Sequence, residues 1–415
     1  MSAKALIKPK DGVESPFRNK MFILILIIAF LNYNSASMLN ITLPKYANEL
    51  GATSQAIGLL SGIFAMCALL MRPFSGQIVD NEDKVLMFRI CLSVVLVSVI
   101  GLAFSKSYWP LVIFRGLNGL AWGVGSTLAM TLATGTFTSK NMATGIGIYG
   151  MGQTLARTLA PLAALPLAEK FGYNALYFGN VGIMLLCIFF TFFLIREKRD
   201  PNKKRHYSFK LKSMIYFPSV LPAALILCNS ITKAAITAFL VIYAGSLNVS
   251  NIGVFFTIQA VTIFLLRPVV SKLSDKLGTL KVLIPCEILI VLSMLMIAFS
   301  STLAMFIAAA VLMGIALAGE QPILFAECIK RAGPEKRGSA SNTSYVGVDI
   351  GMFTGSNLAG LLVAYLGYQN MYIAMVTPVV ICTLIFVYLY KKNGGNKVDN
   401  DELAKLIIEE EGQEA

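Results

Sequence analysis

Apolar runs of about 20 residues or more follow one another along nearly the whole chain, at roughly 20–46, 54–79, 85–105, 108–136, 142–169, 173–195, 215–245, 250–273, 279–300, 302–328, 338–364 and 369–390. At about 1.5 Å of helical rise per residue, each run is long enough to cross a hydrocarbon layer roughly 30 Å thick. Only 14% of the residues are charged and 56% are hydrophobic, where soluble domains carry about 25% charge. Water is therefore not the main solvent of this chain. The pattern implies an all-α membrane protein with about twelve transmembrane helices.

A second feature narrows the architecture. Residues 66–84 are echoed 195 positions later: Arg72-Pro73 matches Arg267-Pro268 and Asp80 matches Asp275, each where an apolar run meets a charged loop. The same offset carries Gly58 onto Gly253 and Gly172-Tyr173 onto Gly367-Tyr368. Parallel repeats of six spans imply two pseudo-symmetric six-helix bundles about an axis along the membrane normal, with a substrate pathway between them. The expected divisions are an N-terminal segment at 1–19, a first bundle at 20–195, a linker at 196–214, a second bundle at 215–392 and an acidic tail at 393–415. The linker is basic and contains Pro201, so it is not a further span.

The net charge of +13 does not gather on one soluble face. Basic residues occupy alternate loops: Lys84 and Arg89, Lys140, the run from Arg196 to Lys212, Lys272 to Lys281, Lys330 to Arg337, and Lys391-Lys392. By the positive-inside rule this places both termini and the linker in the cytoplasm, in a cell (inner or plasma) membrane. Loops a few residues long cannot form the continuous basic surface that nucleic acid needs, so no nucleic-acid partner is expected. Ser35-Ala36-Ser37 resembles a leader cleavage site, but the apolar character continues through Leu43 and the cognate run from Ala223 to Ala244 is internal. The seven cysteines all fall inside spans, without Cys-x-x-Cys spacing and apart from the lone His206, and read as small apolar residues. No phosphate-binding loop and no hydrolase signature is present, so neither an enzyme nor a cofactor or metal is expected. Uphill work would draw on an ion gradient.

The loop after the second run carries Gly76, Asp80 and Lys84, with Asn81 and Asp83 at two further motif positions, and its second copy carries Ser271, Asp275, Lys276, Gly278 and Lys281. With the twelve spans and the duplication, these residues resemble the major facilitator superfamily over about residues 18–392. The fourth run holds Arg115-Gly-Leu-Asn-Gly119 and the fifth Ala160-Pro161, similar to motifs of the drug and metabolite:proton antiporters of that superfamily. The resemblance implies that Gly76, Asp80, Lys84, Asp275 and Lys276 form a conformational latch, Asp80 against the start of span eleven and Asp275 against span five. A carboxylate near a helix N-terminus gains about 0.3–1 kcal/mol where exposed and up to about 2 where partly buried.

Charges inside spans are functional candidates, because a guanidinium there costs about 2.5–3.5 kcal/mol on insertion scales. The set comprises Arg115, Arg157, Lys233, Glu287, Glu320 and Asp349. Spans one, four, seven and ten line the cavity in the superfamily, which adds Asn32, Asn34, Asn229 and Gln321 as candidate solute ligands beside Arg115, Arg157 and Lys233. Glu320 and Asp349 are the candidate proton carriers, with Arg157 and Lys233 as their counter-charges, and Glu287 is expected in a separate network near the cytoplasm. Two readings stay open: the charges neutralise one another structurally, or they bind solute and exchange protons. The expected function is proton-coupled efflux of a small organic solute by alternating access; the alternative is uptake or exchange of an organic anion. The partners implied are the solute, protons and the lipid bilayer, and the chain is expected to act as a monomer.

Overall fold

The computed structural model of the chain describes residues 19–136, 142–196, 215–331 and 337–392. All regular structure among them is helical. Helix α1 spans Lys20–Glu49, α2 Ser54–Asn81, α3 Lys84–Phe104 and α4 Tyr108–Thr134. A 50-residue helical element, Met142–Thr191, is broken at Gly172 into α5 (142–171) and α6 (173–191). A 3-10 turn at Phe217–Ser219 leads into α7, Val220–Ser246, followed by α8 at Gly253–Leu277, α9 at Thr279–Ala298 and α10 at Leu303–Lys330. Arg337–Ala374 is broken at Gly367. Its first part is α11 (337–366), and its remainder continues into Val376–Lys392 as α12 (368–392).

The breaks at Gly172 (φ 80°, ψ 165°) and Gly367 (φ 77°, ψ 171°) are the same turn, 195 residues apart. Only glycine adopts this backbone without a steric cost, so one residue type ends a span and starts the next without a loop. Nine helical stretches among the described residues are long and apolar enough to cross a membrane. Two of these, of 44 and 51 residues, contain the glycine breaks and so cross twice. Helix α4, with 27 residues, is also long enough at about 1.5 Å per residue, which brings the crossings to twelve. Polar side chains fix several starts: Asn19 accepts from the Met21 and Phe22 amides, Thr53 from Ala56 and Asp83 from Leu86.

Packing repeats with the sequence. A Cβ at Gly119 would lie 2.4 Å from the Phe64 carbonyl oxygen and 2.9 Å from Cys67 Cβ; one at Gly314 would lie 2.9 Å from the Gln259 carbonyl oxygen and 2.6 Å from Thr262 Cβ. Each residue of the second set stands 195 positions after its mate. These small residues bring α4 onto α2 and α10 onto α8 at backbone distance, the contact that holds helices together where burial from lipid offers no drive. Tyr46 packs against Tyr173 and Tyr177, and Tyr243, two residues beyond its mate position Val241, packs against Tyr368 and Tyr372. Both leading hydroxyls donate across to a carbonyl at the end of a neighbouring helix, Tyr46 to Ser105 at 2.8 Å and Tyr243 to Ala298 at 2.9 Å.

The halves meet along two seams, α2 on α11 and α5 on α8. A Cβ at Gly58 would come 2.4 Å from the Ser356 carbonyl oxygen, and one at Gly253 3.5 Å from the Pro161 carbonyl oxygen and 3.0 Å from Leu165 Cδ1. Both contacts lie toward the face opposite the described N- and C-terminal helix ends, so the two halves touch there. Large apolar side chains such as Leu70, Ile113, Leu265 and Leu384 are exposed around the outside. In water such a belt would aggregate; on a multi-pass membrane protein it faces lipid.

Candidate functional site

In the second half, Asn229 and Lys233 stand one turn apart on the same face of α7, opposite Glu287 of α9 and Glu320 of α10. The Asn229 amide donates one bond to Glu287 Oε1 at 2.9 Å and another to Glu320 Oε1 at 3.0 Å, while Lys233 Nζ donates to Glu320 Oε2 at 2.8 Å. Both carboxylates are buried, whereas a quarter of the Lys233 side chain remains accessible. Glu287 is therefore part of this cluster and not of a separate network. Its position early in α9 sets it level with Asn229 because α10 packs against both α7 and α9. The arrangement holds two acids against one ammonium.

Asp349 does not meet Arg157 or Lys233. Its Oδ2 accepts from Arg72 Nε at 2.9 Å, across the seam between halves, and the Arg72 guanidinium also lies 5.0 Å over the Tyr345 ring. The reason is rotational. Gly347, Gly351 and Gly355 of α11 would each place a Cβ against α7 backbone, at Ala223, Leu227 and Ile231, and a residue two positions away points about 200° around the helix, toward α2.

Arg157 is largely exposed and, among the described residues, has no carboxylate partner. Its guanidinium lies 5.8 Å from the Tyr33 ring, on a helix that packs against α8, the helix that carries Arg267. Tyr33 meets Trp122 edge-on at 4.8 Å, and Trp122 lies 5.8 Å from Phe64, giving a half-buried aromatic wall on the first half. Arg115 sits behind this wall: it is 3% exposed, 4.2 Å over the Phe64 ring, and bonded to Asn40 Oδ1, with its Nη1 unpartnered. It is enclosed among α1, α2 and α4 and does not line an open cavity. Asn34 donates to the Ala156 carbonyl at 3.3 Å, tying α1 to α5; Asn32 is buried, and Gln321 is half-buried next to Glu320.

The surroundings of Gly76 and the side chains of Asp80 and Asp275 lie outside what is described, as do the side chains of 337–339 and 341 and the segment around Asn141 that the latch would touch. Lys84 opens α3 and Lys276 lies exposed in the last turn of α8. Asp83, at a position where the resemblance expects glycine, caps α3 and pairs with Arg196 at 2.9 Å. Sequence reasoning used Arg72 and Arg267 only as markers of the repeat and passed over Tyr33. The cost of an arginine within an apolar run was the signal that could have singled out both arginines.

Residues 25–245 and 223–409 match the Major Facilitator Superfamily in two successive stretches. The chain belongs to that superfamily. This superfamily member is thus a multi-pass membrane transporter and not an enzyme. Multidrug resistance protein MdtG of Escherichia fergusonii is 26% identical over 382 residues, 88% of this chain and 91% of its own. The MdtG protein of Salmonella arizonae is 28% identical over 291 residues, 66% of this chain and 71% of its own. Among solved structures, a POT family transporter in complex with 5-aminolevulinic acid superposes with a TM-score of 0.78 over 94% of this chain and 99% of its own, at 15% identity, a likeness of fold.

Proposed function

We propose that this transporter exports a small organic solute in exchange for protons, with residues 20–195 and 215–392 rocking as two bodies and both termini in the cytoplasm. The observation that carries the reading is the Glu287, Asn229, Glu320 and Lys233 cluster. One carboxylate is matched by the Lys233 ammonium; the second is held against an amide alone. In a water-poor interior an unmatched charge is costly, so this is where a proton can reside and from which it can be lost as the cavity changes sides. We assign Asp349, whose charge Arg72 already balances, to holding the seam and not to carrying protons. The likeness to multidrug resistance proteins supports the outward direction, and the aromatic wall of Tyr33, Phe64 and Trp122 suits an apolar ring system.

Proton movement in proteoliposomes tests the proposal. Glu320→Gln and Glu287→Gln should each lower solute-driven proton flux at least tenfold while solute still binds. Undiminished coupling in both variants would remove the cluster from the mechanism.

A second reading, uptake or exchange of an organic anion, is favoured by Arg157 and Arg267 on the two packed helices of one seam. The two readings differ in the sign of one linkage. A proton taken up by the pair of acids, Glu287 and Glu320, removes negative charge from the cavity side of the second half and so strengthens the hold on an anion, whereas a cationic solute would be weakened by it. Solute affinity that rises as pH falls supports the anion reading, and affinity that falls supports exchange export.

A further inference from the structure

Internal symmetry identifies a charge that is missing from one seam. The shift of 195 that relates Gly58 to Gly253 also relates their contacts across the seams, Ser356 to Pro161. Applied to the ion pair of the first seam, it carries Arg72 onto Arg267 and Asp349 onto Thr154. The second seam thus keeps the arginine and lacks the acid. Thr154 spends its hydroxyl on the Gly150 carbonyl at 3.0 Å, within its own helix. Three residues further along α5, at the position matching Met352, the chain places Arg157, a second cation. At this level the α2/α11 seam pairs its arginine with an acid, whereas the α5/α8 seam carries two guanidiniums, and no ion pair with either is present among the described residues. Arg157 is held near the Tyr33 edge of the aromatic wall.

We infer that Arg157 and Arg267 form an anion subsite, in which a carboxylate or phosphonate of an amphipathic solute takes the place that Asp349 fills on the other seam while its apolar part rests on Tyr33, Phe64 and Trp122. The inference rests on the second functional reading and gives it a site. Guanidinium is suited to the role because its planar fork binds carboxylate and phosphate oxygens in pairs. The two arginines belong to different halves, so a bound anion draws α5 and α8 together and links loading to closure.

Binding of 4-phenylbutyrate and phenylphosphonate, with uncharged 4-phenylbutanol as control, is measured by calorimetry on the full chain in phosphatidylcholine nanodiscs. The anions should bind at least tenfold more tightly than the alcohol. Arg157→Gln and Arg267→Gln should each weaken the anions at least tenfold and leave the alcohol unchanged, while Arg267→Lys should retain part of the affinity. Thr154→Asp, which restores the missing acid, should abolish anion binding in a protein that still elutes and melts as a folded species. Equal affinity for acid and alcohol, no saturable anion binding, or unchanged affinity in both glutamine variants would overturn the assignment. Loss of the probe when phosphatidylglycerol is added would give the site to a lipid headgroup and overturn it as a solute site. Glu320→Gln separates the two proposals: retained proton coupling with anion binding intact removes the proton site and leaves the subsite standing, whereas lost coupling together with unchanged anion affinity in both arginine variants leaves only the proton site.

Discussion

At one seam of the molecule Arg72 reaches Asp349 across the boundary between halves, and at the other its mate Arg267 finds Thr154 where an acid would stand. Elsewhere the halves follow each other closely. The glycine contacts of α4 on α2 and α10 on α8, the tyrosine clusters and the turns at Gly172 and Gly367 all recur. The interior charges do not: Glu320 corresponds to Gly125, Glu287 to Leu92 and Arg115 to Ala310. A duplicated scaffold must keep the close contacts that hold both copies together, but it needs a solute or proton site only once. Departures from symmetry therefore locate function better than any single motif does.

The comparison can be broken most decisively at the two arginines. Arg72→Gln strands the nearly buried Asp349 carboxylate and should cost about 3–5 kcal/mol of stability. Arg267→Gln breaks no ion pair among the described residues and should cost less than about 1 kcal/mol. Thermal unfolding of the two variants in the same lipid checks this, and equal losses would mean that the second seam hides an acid of its own. A smaller contrast is expected at the seam glycines. Gly58→Ala drives a methyl into a backbone carbonyl, whereas Gly253→Ala first meets the end of the flexible Leu165 side chain. Overpacking costs about 1–3 kcal/mol where the neighbour cannot give way, so Gly58→Ala should be the worse variant, and spin-label distances should widen across α2/α11 but not across α5/α8. The smallest effects are expected at Tyr46→Phe and Tyr243→Phe, each losing one interhelical hydrogen bond at about 0.6 kcal/mol. Unequal losses there would show that the tyrosine clusters are not equivalent after all.

Much of the architecture was readable in the chain. Run lengths placed the spans to within a few residues, and the repeated Gly172-Tyr173 and Gly367-Tyr368 pairs marked the duplication, while the structure shows that each is a turn without a loop. Where a run edge erred, a local cause is visible: α7 starts at Val220, after a 3-10 turn around Pro218, and α8 continues to Leu277, until Gly278 turns the chain at φ 89°. The candidate site was only partly legible. Lys233 could be named as a counter-charge of Glu320, but Asn229 and Glu287 could not be joined to them, because they come from three helices and the sequence does not state how neighbouring helices are turned.

The sequence by itself determined a duplicated set of twelve membrane-crossing helices, since span length, polarity and a repeat at fixed offset are properties of the chain read in one dimension. The tertiary structure decided the partners: that Asp349 faces Arg72, that Asn229 joins two acids, that Arg115 is sealed behind Phe64 and that α5, with Arg157, packs on α8, with Arg267. Those outcomes depend on the rotation of each helix about its axis, which glycine contacts set by letting one particular face approach its neighbour.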